Sequence, residues 1–252
     1  GFYQGVRLLF LARHGIGHHI SPSEINSRAN IYALKLLGAN WVLSVSAVGS
    51  LQENFVPGEL AVPDQLLDRT RNRPSTFFGD GIVAHVQFGN PFCPVLRREL
   101  AASVSSVGGK GEAHFEGTYV CMEGPQFSSL AESLTYKAAG YSVIGMTNMP
   151  EAKLAREAEI CYASVAMVTD FDCWHPHHDA VTVQDIIRML NSNADKAKSL
   201  VTRLARDLPR EHEPCPLGSD RALETALITA PEARDPALLR KLDAVAGRVL
   251  RS

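Results

Sequence analysis

Four short stretches carry polar side chains just where apolar runs stop: Arg13-His14-Gly15, Ser46-Ala47-Val48-Gly49-Ser50, Met146-Thr147-Asn148-Met149 and Thr169-Asp170-Phe171-Asp172. Arg, His, Ser and Thr are hydrogen-bond donors and suit an anion such as phosphate. Two carboxylates two residues apart, Asp170 and Asp172, are acceptors or acids and suit a nitrogen heterocycle. Each stretch alone reads more readily as a helix cap or a satisfied loop. Four together point to one site, because open α/β sheets bind ligands at the carboxyl ends of their strands.

Other chemistry-bearing residues carry weaker signals. His175-Pro-His-His178, with His14, His18 and His19, offers imidazoles without the fixed spacing of a zinc site such as HExxH. Val107-Gly-Gly-Lys-Gly111 lacks both the dinucleotide and the P-loop spacing and reads as a turn. The five cysteines (93, 121, 161, 173 and 215) form no CxxC pair and are odd in number. That argues against a zinc knuckle or a disulfide scaffold and for small buried apolar residues in a reducing, cytoplasmic setting. Arg69, Arg71 and Arg73 alternate with polar residues and read as a solvated or interface rim.

The elements that must position the four stretches follow from periodicity. Continuous apolar runs at 6–11, 41–48, 118–122, 142–146 and 161–168 predict strands, and the first reads as buried on both faces. The stretch 58–67 predicts another, which Pro63 demotes to an edge or a bulge. Helical spacing appears at 23–37, 94–106, 129–139, 151–157 and 183–208. Residues 70–92 hold Gly, Pro and aromatics and read as a functional or interface loop. After a proline-rich break at 209–216, segments 220–228 and 236–250 predict a docked C-terminal helix pair, the second with a stripe of Leu238, Leu239, Leu242, Val245, Ala246 and Val249. Strands alternating with helices predict one α/β domain over residues 1–252, with the 209–252 segment docked on it.

Composition bounds the function. The 252 residues carry 25 Lys+Arg against 27 Asp+Glu, and 45% are hydrophobic. A net charge of −2 excludes a strongly basic nucleic-acid binder. The apolar share excludes a disordered chain. No apolar run approaches the ~18–20 residues of a membrane helix, and Gly1-Phe2-Tyr3-Gln4 begins no signal-peptide pattern.

The ordered set of motifs resembles the purine nucleoside phosphorylase superfamily and, within it, the 5′-methylthioadenosine phosphorylases. The stretches that carry the resemblance are Leu11-Ala-Arg-His-Gly15, Asn26-Ser-Arg-Ala-Asn-Ile-Tyr-Ala-Leu34, Ser46-Ala-Val-Gly-Ser-Leu51, Asp64-Gln-Leu-Leu-Asp-Arg-Thr70, Asn90-Pro-Phe-Cys-Pro94, Glu123-Gly-Pro-Gln-Phe-Ser-Ser-Leu-Ala-Glu132, Gly145-Met-Thr-Asn-Met-Pro-Glu151 and Ala166-Met-Val-Thr-Asp-Phe-Asp-Cys-Trp174. They run over about residues 8–206. The resemblance implies a central mixed sheet flanked by helices, and phosphorolysis of a purine nucleoside. It implies that Arg13, His14, Ser46, Ala47 (through its backbone) and Thr147 hold phosphate, and that Met146 floors the sugar. Asp170 would donate to purine N7 and Asp172 would meet the 6-amino group, so two Asp favour adenine. Donation requires a neutral Asp170, with a pKa raised by burial and by the second carboxylate. Phe127, Ser128 and Val183 would flank base and ribose. His85 would be lent across a subunit interface of a homotrimer. No cofactor or metal is implied; inorganic phosphate is the co-substrate.

The resemblance also implies an earlier strand and a Gly-rich phosphate-binding turn, on the order of 40 residues or roughly one βα unit with a connecting strand. The chain shows no counterpart to it before residues 6–11. The rival expectations are a phosphorylase of adenosine, inosine or methylthioinosine, and an inactive purine-binding protein.

Overall fold

The computed structural model describes residues 1–107, 113–176 and 183–251. Its centre is a pair of ten-residue parallel strands, β3 (Trp41–Ser50) and β9 (Cys161–Asp170), in register from Trp41↔Cys161 to Val48↔Val168. Nine of the ten β9 residues are buried, as their unbroken apolar run requires of a strand covered on both faces. Its side chains alternate strictly. Tyr162, Ala166 and Val168 join one apolar cluster with Ile31 and Leu154, whereas Cys161, Ala163, Val165 and Met167 join another with Leu96, Leu100 and Leu200. The period of two thus sorts one strand into two cores.

Five shorter strands complete a seven-stranded mixed sheet: β4 (Leu60–Ala61), β5 (Gln65–Arg69), β6 (Ala113–His114), β7 (Thr118–Met122) and β8 (Val143–Gly145), in the order β5-β7-β8-β3-β9-β4-β6. β8 runs antiparallel to β3 and touches it only at Gly49 and Ser50. The predicted strand at 58–67 is divided at Pro63 into β4 and β5, because proline cannot donate to a ladder.

Helices cover both faces. Helices α1 (Ser27–Leu36) and α4 (Asn148–Glu157) feed the first core, and α2 (Pro94–Val107) and α5 (Val183–Asp207) feed the second. Helix α1 begins later than its pattern suggests, because the Asn26 side chain accepts from the Ala29 N–H and so fixes the start. Helix α3 (Leu130–Ala138) opens with a capping box between Ser129 and Glu132.

Two expectations fail. The run 6–11 is not a buried strand. Only β2 (Val6–Arg7) is extended, and it pairs with β1 (Phe2–Tyr3) in a two-stranded hairpin outside the main sheet. Phe10 is 77% exposed, because residues 5–11 lie across a groove of about 650 Å³ from Trp41–Val45 instead of hydrogen-bonding to them. An apolar run becomes a central strand only where neighbours supply its ladder. The C-terminal pair is also incomplete. Segment 236–250 forms α6 (Pro236–Leu250), but 220–228 holds only a 3₁₀ turn at Ser219–Arg221 and further turns closed three residues apart. Leu223 and Ala226 are drawn into a cluster with Phe78, Ile82, Leu242 and Ala246, and the Leu223 N–H donates to Glu159, so tertiary packing overrides helical spacing.

The core sets the cost of truncation. Leu154 in α4 is fully buried, whereas Leu36 at the end of α1 is 63% exposed. Leu154→Ala is expected to cost ~2–5 kcal/mol, and Leu36→Ala less than about 0.5 kcal/mol. Denaturant midpoints measured on both variants check the contrast.

Candidate active site

The site is built where β3 and β9 end and the antiparallel β8 begins. At Val48 the β3–β9 register shifts, so that Gly49 faces Asp170. A Cβ on Gly49 would lie 2.9 Å from Asp170 Oδ1 and 3.3 Å from the Asp172 Cβ and backbone N. The missing side chain is what lets the acidic turn lie over the strand end. Trp174 anchors that turn by donating from Nε1 to the Ser50 carbonyl at 2.7 Å, with Phe171 edge-on to its ring and Lys137 over its face.

The two carboxylates differ sharply. Asp170 Oδ1 accepts from the Asp172 N–H at 2.8 Å, and its Oδ2 lies 2.6 Å from the Thr169 hydroxyl. That hydroxyl also lies 3.1 Å from the Val48 carbonyl, which can only accept. The shorter of these two contacts is the donation to Asp170. Burial pushes the Asp170 pKa upward, and repulsion from Asp172 adds to this, while the bonds from Thr169 and the Asp172 N–H oppose it. The direction is that expected of a carboxyl kept neutral. Asp172 sits in the left-handed region at φ +48°, and its Oδ2 is buried without a hydrogen-bond partner. A buried lone acceptor of this kind is costly unless a ligand donates to it.

Of the expected phosphate residues, Ser46 and Thr147 meet at the Tyr119 ring. Ser46 Oγ lies 3.5 Å from the Tyr119 phenol, and the Thr147 hydroxyl is buried beside the same ring without a hydrogen bond of its own. Ala47 precedes the register shift on β3. Arg13 is placed differently from a free phosphate ligand. Its Nη1 donates to both carboxylate oxygens of Glu151 at 3.0 Å and to Ser44, and its Nη2 donates to the Val45 carbonyl at 2.6 Å. The Glu151 charge sustains that guanidinium against burial. His14 donates from Nδ1 to the Ile20 carbonyl and stacks on His18 at 4.1 Å; burial is the main cause of its lowered pKa.

The remaining predicted residues divide. The Met146 side chain packs against Gly124, and its carbonyl accepts from Arg73 at 2.7 Å. Ser128 touches the acidic turn, its carbonyl accepting from the Cys173 thiol. Phe127 and Val183 are half exposed, at 49% and 56%. His85 is not brought to the site: it is exposed, and its N–H donates to the Ala226 carbonyl in the C-terminal segment. Of the histidine tract, His175 packs at a tilt against Phe171, whereas His177 and His178 lie outside the described residues. The glycine-rich stretch after Val107 lies outside them too.

Sequence reasoning missed the residues that brace the site. Arg73, read as part of a solvated rim, has a side chain only 4% exposed and bonds to Glu123 and to the carbonyls of Met146 and Met149. It holds the turn between β8 and α4. Alternation with polar neighbours gave no sign of this, because its partners lie 50 or more residues away. Asn148 and Glu151 lie in quoted motifs without an assigned role, and Tyr162 gave no signal. Asn148 accepts from Ser44 and donates to Ser164, which ties β3 to β9 beneath the site. Tyr162 donates to Glu151 at 2.8 Å.

Comparisons with known proteins identify the family. The profile of the phosphorylase superfamily matches residues 1–206. The S-methyl-5′-thioadenosine phosphorylase of Bradyrhizobium diazoefficiens is 67% identical over 254 residues, covering 100% of this chain and 86% of that protein. The protein of the same name from Cereibacter sphaeroides is 57% identical over 251 residues, with the same coverage. Among solved structures, a methylthioadenosine phosphorylase from an antarctic soil metagenomic library superposes with a TM-score of 0.87 at 47% identity, covering 96% of this chain and 84% of that one. The Schistosoma mansoni methylthioadenosine phosphorylase in complex with adenine gives 0.83 at 36% identity, over 88% and 84%. With its mixed sheet, its paired acids at a strand end and its matched length, this chain belongs to the phosphorylase superfamily.

Proposed function

We propose that this chain catalyses phosphorolysis of 5′-methylthioadenosine, giving adenine and 5-methylthioribose 1-phosphate. The observation that carries the reading is the acidic pair beside Gly49: one half-buried carboxyl pushed toward its neutral form, the other a buried acceptor with no donor. Phosphate attacks C1′ as the bond to the purine N9 breaks, and negative charge develops on the departing base. Neutral Asp170 gives its proton to N7, and Asp172 accepts from the 6-amino group. A 6-oxopurine would set its oxygen against the Asp172 acceptor, which disfavours inosine.

Ser46, the Ala47 main chain, Thr147 and His14 orient the phosphate in this reading. Arg13 adds its charge where Glu151 releases it. Orientation of the two reactants and charge stabilisation supply the rate, with neither metal nor cofactor at the reacting centre. Met146 floors the ribose, while Phe127, Ser128 and Val183 line its flank. His85 completes the 5′ pocket of a neighbouring copy in a homotrimer. The half-exposed apolar residues Phe127, Leu130 and Leu134 support such an interface. Purine and methionine salvage in the cytoplasm is the setting of this reaction, with no nucleic acid or membrane partner. Among the described residues no helix is long and apolar enough to cross a membrane.

Purified chain incubated with 5′-methylthioadenosine is expected to release adenine only when phosphate is present, and faster than it releases hypoxanthine from inosine. Equal or preferential use of inosine would overturn the assignment of Asp172. Asp170→Asn is expected to lower kcat by about 10²–10⁴-fold, the range of a positioned general acid. The pH profile has a definite sign. A raised pKa keeps Asp170 protonated to higher pH than a free carboxyl, so wild-type kcat falls as pH rises through that pKa. The limb is expected to vanish in Asp170→Asn, and full activity with an unchanged profile would sink the role.

A further inference from the structure

Three of the five cysteines come together although nothing in their spacing foretells it. Cys93 precedes α2, Cys161 opens β9 and Cys215 lies in the segment after α5, and their three sulfurs lie within 4.8 Å of one another. All three are buried, at 1%, 0% and 0% exposure. Among the described residues no other group of His, Cys, Asp or Glu converges in this way. Cys121 and Cys173 stand apart from the cluster.

Two neighbours distinguish this cluster from three apolar fillers. The first is Arg156, 5% exposed and within electrostatic reach of all three sulfurs. Its guanidinium donates to the carbonyls of Gln87, Asn90 and Pro91, and none of the ion pairs among the described residues includes it. Buried charges are ordinarily paired, so this cation lacks a counter-charge. The second is Ser219, 1% exposed, whose Oγ lies 3.2 Å from Cys215 Sγ and supplies an oxygen at the cluster.

We propose that Cys93, Cys161 and Cys215 bind a single divalent thiophilic cation of the zinc type, with an oxygen donor at the Ser219 side in the fourth position. A cation ~2.3 Å from each sulfur sets the sulfurs about 3.8–4.0 Å apart. From a spread of 4.8 Å the side chains need move only on the order of an ångström. Charge supports a divalent ion: with three thiolates it leaves one negative charge, which Arg156 balances. The three thiol protons pass to solvent as the metal enters, so binding strengthens as pH rises. Such a site is structural. It fastens the C-terminal segment, through Cys215, to the first residue of the central strand and to the start of α2, on the sheet face opposite α1 and α4.

The test uses the whole chain, expressed with zinc and dialysed under reducing conditions. Elemental analysis is expected to find about one zinc per chain. Cobalt(II) added to chelator-treated protein is expected to give the near-ultraviolet charge-transfer band of a thiolate complex. Cys215→Ser, the variant least buried in secondary structure, is expected to lose at least ten-fold of the bound metal and the band. Cys173→Ser keeps both. Circular dichroism confirms that the variants fold, and the wild-type cobalt titration stands without them. Chelation is expected to lower the Tm of wild type and leave that of Cys215→Ser unchanged. Absence of both retained zinc and the cobalt band in reduced wild-type protein would overturn the site, as would metal binding undiminished by Cys215→Ser.

Discussion

The candidate active site of this molecule depends on how two parallel strands stop agreeing. β3 and β9 run in register for eight residue pairs, and the ladder then slips so that Gly49 meets Asp170. Backbone hydrogen bonding fixes the first part and the want of a side chain at Gly49 permits the second. With the slip, Asp170 lies opposite Gly49 and accepts from the Asp172 N–H of the next turn. Burial there pushes its pKa upward.

Beneath that end lies a layer of polar groups that pair largely with one another. Asn148 bridges Ser44 and Ser164, and Glu151 accepts from Arg13 and Tyr162. Arg73 closes the far side through the carbonyls of Met146 and Met149. Removing one partner from such a network strands the other in a low-dielectric interior, at a cost of about 3–5 kcal/mol for an ion pair. The β8–α4 turn carrying Met146 and Thr147 is thus held from below by charge and from the side by a buried arginine. Function at the surface of the sheet rests on satisfied polarity inside it.

How much of this was legible in the sequence follows from the range of each interaction. The central strands and α2 to α5 are local facts, written in period and neighbour type. The break at Pro63 was equally local. The acidic pair was visible because both carboxylates sit on one turn, and the family motifs gave them a partner chemistry. What escaped was non-local. Residues 6–11 read as a strand because periodicity records apolarity, not the presence of a hydrogen-bonding neighbour. Segment 220–228 read as a helix because nothing local announced that Leu223 would be pulled into the cluster beneath α6. Arg73 read as solvated because its acceptors are distant in sequence, and the convergence of Cys93, Cys161 and Cys215 was hidden for the same reason.

The side of β3 that faces the groove carries main-chain groups that no strand of the sheet engages along Trp41–Val48 among the described residues. There the guanidinium of Arg13 covers the Val45 carbonyl, and Glu151 holds its charge in place. Over that stretch one side chain supplies a donor of the kind that a neighbouring strand gives elsewhere in the sheet.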